Sequence, residues 1–129
     1  MQSIVRIFLT ATNMLYVSLF GGPMDGTAWD VKLKEEGFFH WGSTADTLVF
    51  DAGKAAAAGE VAKGYAPTRY QTNNESGATL FSMVMARDGR DAMEWTGRVE
   101  GERIEGMVIV RGKDGRVSRY VFTGARKTG

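Results

Sequence analysis

The sequence predicts an all-β protein, an antiparallel up-and-down meander forming a small, roughly eight-stranded barrel preceded by an apolar N-terminal segment. Three observations carry this. Four β-rich runs in the last third, ATLFSMVMA, AMEWTGRV, RIEGMVIVR and RVSRYVFTGAR, are separated only by the turn sequences RDGRD, EGE and GKDG, and successive hairpins are how small antiparallel barrels are built. Upstream, TAWDVKL alternates Thr27, Trp29, Val31 and Leu33 against Ala28, Asp30 and Lys32, the period of a half-buried strand. The 17 Gly against 2 Pro among 129 residues suit a turn-dense β chain. A chain of this length is most simply one folded domain, here residues 24–129 behind an N-terminal segment of residues 1–23.

That segment contains IVRIFLTATNMLYVSLF, apolar except for Arg6 and a few hydroxyl and amide side chains, and it ends at Gly21-Gly22-Pro23. Charge, apolar run and break follow the order of a secretory signal, but no A-x-A-like cleavage site precedes Gly21. The run is short for a spanning helix, which needs ~20 apolar residues. Its Val, Ile, Phe, Tyr and Thr content equally suits a hairpin turning near Asn13. A membrane anchor or retained signal, an element docked on a partner or on the domain, and a core element all remain open. As an anchor or contact surface, its candidate residues are Ile7, Phe8, Leu15, Tyr16 and Phe20.

After the TAWDVKL strand, KEEG turns the chain. FFHW and DTLVFDA read as a short and a longer strand, with Leu48 and Phe50 pointing together. The stretch Ala55–Ala58 is read as the opening of a short helix interrupted by glycines, YAPTRYQT as a strand beginning after Pro67, and TNNESG as a polar loop.

The turns align the final hairpins. A two-residue Asp88-Gly89 turn sets Arg87 against Arg90, Val84 against Met93 and Ser82 against Trp95. A Gly101-Glu102 turn sets Val99 against Ile104, Arg98 against Glu105 and Trp95 against Val108, so opposite charges pair on one face and apolar groups on the other. A Lys113-Asp114-Gly115 loop with Gly115 left-handed puts Tyr120 opposite Val108 and Phe122 opposite Gly106, a ring over a cross-strand glycine. In this register Leu80, Val84, Met93, Trp95, Val99, Ile104, Val108, Val110, Tyr120 and Phe122 face inward. Phe81, Met83, Met85, Met107, Ile109 and Val121 face outward beside Arg98 and Glu105, an apolar excess for a wet face. Either the N-terminal segment or the 53–64 region covers them, or they meet a protein partner or a membrane.

The run W-x-G-x-V-x-G-x-x-I-x-G, from Trp95 through Gly97, Val99, Gly101 and Ile104 to Gly106, followed by Gly115, Tyr120, Phe122, Gly124 and Lys127, resembles small, uncharacterised bacterial envelope β-barrel domains. The resemblance implies a calycin-like, that is lipocalin- or avidin-like, barrel and a cavity; it carries no catalytic residues. Gly26-Thr27-Ala28-Trp29 is similar to the Gly-x-Trp of a lipocalin's first strand, with one residue more.

Chemistry-bearing patterns are sparse. The 16 Lys and Arg and 15 Asp and Glu nearly balance, with the excess of cations confined to the second half, too little for a nucleic-acid surface. The chain has no Cys, and the single His40, between Phe39 and Trp41, reads as a strand residue rather than a metal ligand. The glycine-rich turns lack the lysine and the strand-to-helix setting of a phosphate loop. Arg111, Lys113, Arg116 and Arg119 cluster around the last turn, either as a solvated hairpin end or against anionic lipid or an acidic partner.

The expectation is therefore a non-catalytic accessory or interaction protein of the cell envelope, membrane-associated on the periplasmic side. It is attached to a membrane or larger complex through its N-terminal segment and through Phe81, Met83, Met85, Met107 and Ile109. No catalytic residue, cofactor, metal or nucleic acid is expected. The alternative is a binder of a small apolar ligand in a cavity lined by Trp29, Trp95, Tyr120 and Phe122.

Overall fold

The computed structural model describes residues 22–36, 43–88 and 91–128. They form nine strands, β1 (Thr27–Glu35), β2 (Thr44–Asp51), β3 (Lys54–Ala57), β4 (Thr68–Arg69), β5 (Gln71–Glu75), β6 (Ala78–Arg87), β7 (Asp91–Glu100), β8 (Arg103–Arg111) and β9 (Val117–Arg126), with one short helix, α1 (Ala58–Val61), between β3 and β4. All pairings are antiparallel, in the order β4-β3-β2-β1-β9-β8-β7-β6-β5. Only Tyr70 separates β4, which pairs with β3, from β5, which pairs with β6. The two edge strands are thus consecutive pieces of one stave, so the sheet is a nearly closed up-and-down barrel of eight staves. Gly22 and the β2–β3, β5–β6 and β7–β8 turns lie at one end; α1 and the β8–β9 loop lie at the other.

Several elements depart from expectation. Strand β5 continues through residues 73–75, where a polar loop was expected, and the alanine run is mostly strand, with Lys54–Ala57 pairing to β2 before α1 begins. Both departures follow from closing the barrel: tertiary pairing overrides the weak strand propensity of Asn and Ala. The FFHW segment and residues 1–21 lie outside the described residues.

Two of the three final hairpins have the register that the turns dictate, with Val99 opposite Ile104, Trp95 opposite Val108, Tyr120 opposite Val108 and Phe122 opposite Gly106. The last loop closes with the Gly112 N–H donating to the Arg116 carbonyl at 2.9 Å, and Gly115 is left-handed at φ 84°. The β6–β7 hairpin differs by one residue: Arg87 pairs with Asp91, Met85 with Met93 and Met83 with Trp95. A one-residue slip inverts every side chain of a strand. Phe81, Met83 and Met85 are therefore core residues, at 3%, 3% and 0% exposure, while Val84 is 52% exposed. Charge explains the choice: the observed register sets Arg87 against a carboxylate, to which its Nε donates at 3.0 Å, instead of against another arginine.

The inner faces supply Trp29, Val31, Leu48, Phe50, Ala55, Ala57, Tyr65, Tyr70, Met93, Ile104, Val108 and Phe122 to one cluster with the β6 residues. Across its middle runs a row of four neighbours on β6, β7, β8 and β9: Phe81, Gly97, Gly106 and Phe122. A Cβ on Gly97 would fall on the Phe81 ring, and one on Gly106 would lie 2.7 Å from the Gly97 Cα and 2.8 Å from Phe122 Cζ. Each ring occupies the space its paired glycine leaves, the arrangement that lets a sheet curve sharply without a void.

The Gly22 end is tied by Asp25. Its carboxylate accepts from the Gly22 N–H at 2.6 Å, from the Gly53 N–H at 3.0 Å and from the Tyr70 hydroxyl at 2.9 Å, and the same hydroxyl accepts from the Met24 N–H at 2.9 Å. One carboxylate and one phenol thus join the chain before β1, the β2–β3 turn and the β4–β5 break. Burial, and then the hydrogen bond to Asp25, push the Tyr70 hydroxyl well above the usual phenol range. At the other end Arg87 bonds Asp91, donates to the Lys63 carbonyl at 3.0 Å and stacks 4.8 Å from the Tyr65 ring.

Two predictions follow from this geometry. Gly106→Ala puts a methyl group against the β7 backbone and the Phe122 ring and is expected to cost about 3 kcal/mol in urea unfolding. Gly77→Ala, at φ 85° in open space, should cost only about 1 kcal/mol of backbone strain; equal costs contradict the ring-on-glycine account. Tyr70→Phe should cost about 1–3 kcal/mol at neutral pH. Because the folded-state pKa is raised, Tyr70's contribution is complete below the unfolded value near 10 and declines as pH rises above it. Wild-type stability should accordingly fall more steeply than that of Tyr70→Phe between about pH 9 and about pH 11.

Candidate functional site

Two surfaces hold the residues singled out by the sequence, one inside the barrel and one outside. Inside, Trp95, Phe122 and Tyr120 come together: Trp95 and Phe122 are buried with ring centroids 5.3 Å apart, and Tyr120, half-buried, stands across Val108 from Trp95. Trp29 is buried at the Gly22 end, where its indole N–H donates to Thr27 Oγ1 at 2.9 Å and that hydroxyl donates to the Met24 carbonyl at 2.7 Å. It belongs to the plug of that end rather than to the Trp95 group. The Trp95 indole Nε1 is buried with no hydrogen-bond partner, and an unpaired buried donor costs about 1–3 kcal/mol. Nothing in the sequence signals this; it follows from which neighbours surround the ring.

Outside, the alternation of β5–β9 creates an open groove of about 960 Å³. It lies between two rows of outward side chains. Ser82, Thr96, Met107 and Val121 form one wall, and Leu80, Arg98, Glu105 and Thr123 the other. The row between them is the one that contains Gly97 and Gly106, and Phe81 and Phe122 contribute to the lining from this row. The groove's charges are partly satisfied within it: Arg98 meets Glu75 at 3.3 Å and Glu100 at 3.5 Å, exposed pairs that add little stability.

Of the expected contact residues, Met107 and Ile109 stay on the outer face, half-buried. Phe81, Met83 and Met85 do not, for the register reason given above, and their places are taken by Leu80 and Val84. The signal that finds these two is the Arg87–Asp91 pairing. The outer face retains exposed Val84, Val117 and Val121. Helix α1 packs beside β2 and β3, away from this side of the barrel. Ile7, Phe8, Leu15, Tyr16, Phe20 and His40 lie outside the described residues.

Around the β8–β9 hairpin, Arg111, Lys113, Arg116 and Arg119 are all exposed. Arg116 approaches Asp114 at 3.8 Å, and the Lys113 backbone N–H donates to Asp91 at 3.1 Å. Among the described residues no group of three His, Cys, Asp or Glu side chains is placed to hold a metal, and no helix is long and apolar enough to cross a membrane. The groups shifted from their usual ionisation, Tyr70 and Tyr65 upward by burial and Arg87 upward by its bond to Asp91, all belong to the ties at the barrel ends. No known protein family, curated protein or solved structure matches the chain.

The assignment of faces has a direct test. Met85→Asp buries an unpaired carboxylate and should cost at least about 3 kcal/mol or abolish folding. The adjacent Val84→Lys, exposed opposite Glu94, should change stability by no more than about 0.5 kcal/mol in the same denaturant titration.

Proposed function

We propose that this protein is a non-catalytic accessory protein of the cell envelope, attached to a membrane through residues 1–22 and using the outer face of β5–β9 to contact a protein partner. The observation that carries the reading is the apolar content of that face. Val84, Val117 and Val121 are 52%, 45% and 40% exposed, and Leu80, Met107 and Ile109 are half-buried beside them on β6, β8 and β9. Scattered exposed aliphatics are ordinary, whereas Met107, Ile109, Val117 and Val121 together on the adjacent strands β8 and β9, next to a groove, are the kind of surface that partners cover. The groove supplies the concavity, and its Arg98, Glu105 and Thr96 supply polar groups to orient what binds. The 17-residue apolar run before Gly21 supports attachment, and the periplasmic side is the assignment that fits a signal-like order of charge and apolar run.

A second reading, a binder of a small apolar molecule inside the barrel, is favoured by one observation, the unpaired Trp95 Nε1. A ligand bearing one hydrogen-bond acceptor would satisfy it, with Tyr120 and Phe122 alongside.

The first reading predicts that Ile7→Asp combined with Leu15→Asp in the full chain moves the protein from the membrane pellet to the supernatant after cell fractionation, because charged side chains are costly in hydrocarbon, about 2.5 to 3.5 kcal/mol each at mid-bilayer. An unchanged pellet fraction contradicts attachment through this segment.

A further inference from the structure

One part of the outer surface is basic as well as aliphatic, the outer face of β8, β9 and β1 toward the β8–β9 loop. Outward side chains here follow the strand alternation. β8 contributes Ile109 and Arg111, β9 contributes Val117 and Arg119, and β1 contributes Lys32 and Lys34. The register sets Arg111 beside Val117, Ile109 beside Arg119 and Lys34 beside Val121. Cations and aliphatics are therefore interleaved across three adjacent strands. Lys113 and Arg116 extend the same charge at the loop.

These cations are unused by the fold. Lys32, Lys34, Arg111 and Arg119 are exposed and make no ion pair among the described residues. The carboxylates near them are Asp114, held toward Arg116, Glu94, which flanks Ile109 on β7, Glu36 in the turn after β1, Asp30, which precedes Lys32 on the outer side of β1 and accepts from Thr47, and Glu105, which shares the neighbour Thr123 with Lys32. A basic face with several unpaired cations around aliphatic side chains has the composition of a surface that rests on anionic headgroups. There, long Lys and Arg stems lie along the hydrocarbon boundary while their charges reach phosphates. An acidic polypeptide would satisfy the charges but offers no reason for Ile109, Val117 and Val121 to lie between them.

We propose that the outer face of β8, β9 and β1, with Arg111, Arg119, Lys32 and Lys34 around Ile109 and Val117, is a docking surface for anionic phospholipid. This rests on the membrane-attached reading given above and adds to it which side of the barrel meets the lipid and which headgroup charge it selects.

The test uses the full chain in vesicle flotation, comparing phosphatidylcholine alone with phosphatidylcholine containing phosphatidylglycerol, at low and high salt. Wild type should bind the anionic vesicles more tightly, with the increment lost at high salt. Arg111→Gln with Arg119→Gln should lower binding to anionic vesicles by roughly ten- to thirty-fold and leave binding to neutral vesicles unchanged. Lys54→Gln with Arg69→Gln, on the β3–β4 side, should leave both unchanged. Equal binding of wild type to the two vesicle types overturns the docking surface while leaving attachment through the N-terminal segment intact. Absence of binding to either overturns both. An Arg111/Arg119 variant that binds anionic vesicles like wild type but loses retention on immobilised polyglutamate assigns the face to an acidic polypeptide and overturns the lipid assignment.

Discussion

Two glycines paired across β7 and β8, each covered by a phenyl ring from the strand beyond it, hold the geometry on which the rest of this barrel depends. A Cβ at Gly106 would meet the β7 backbone at Thr96 and Gly97 and the Phe122 ring of β9, so neither the strand spacing nor the ring position has slack. With Phe81 over Gly97 and Phe122 over Gly106, four strands are keyed to one another at one level. That key decides which side of β6 faces inward, since Phe81 reaches Gly97 only when odd-numbered β6 residues point to the core. The outer surface follows by default: the residues of β6 to β9 that cannot point inward make the groove and the basic, aliphatic face.

The barrel closes by polar devices at its two ends rather than by a continuous ladder. The stave holding β4 and β5 changes partner at Tyr70, and Tyr70 is also the residue whose hydroxyl bridges Asp25 and Met24. The break in pairing and the tie that compensates for it thus fall on one side chain. At the far end, Arg87 joins Asp91, Lys63 and the Tyr65 ring across three segments, which holds the β6–β7 hairpin in its register.

Much of the fold was legible because the turns carry unambiguous chemistry. Gly101-Glu102 and Gly115 set two hairpins, and Phe122 over Gly106 was readable as a cross-strand pair. The β6 strand was not, because ATLFSMVMAR places apolar residues on both parities, Leu80 and Val84 against Phe81, Met83 and Met85, so the hydrophobic pattern leaves the register open. Opposite-charge pairing, the criterion that resolved the β7–β8 hairpin, also resolves this one when applied to Arg87: Asp91 is the favourable neighbour and Arg90 is not. The continuation of β5 through 73–75 was illegible for a different reason. In that strand Gln71, Asn73 and Asn74 are exposed and only Thr72 is half-buried, so closure against β6 is what makes the full stretch a strand. Of the candidate site, Met107, Ile109 and the hairpin arginines were legible on the outer face, while the inclusion of Lys32 and Lys34 required the β1–β9 pairing, which joins segments nearly ninety residues apart.

The account's central claim is that this barrel works through its outer β8, β9 and β1 face. The chain has no cysteine, so single introduced thiols report on one site at a time. Val117→Cys lies on that face and Val49→Cys on the outer side of β2, and the parent residues are 45% and 39% exposed. Their alkylation rates, measured with and without phosphatidylglycerol-containing vesicles, test the claim most directly. The account predicts that vesicles protect Val117→Cys and leave Val49→Cys reactive; equal reactivity of Val117→Cys in both conditions, with the protein bound, would contradict it.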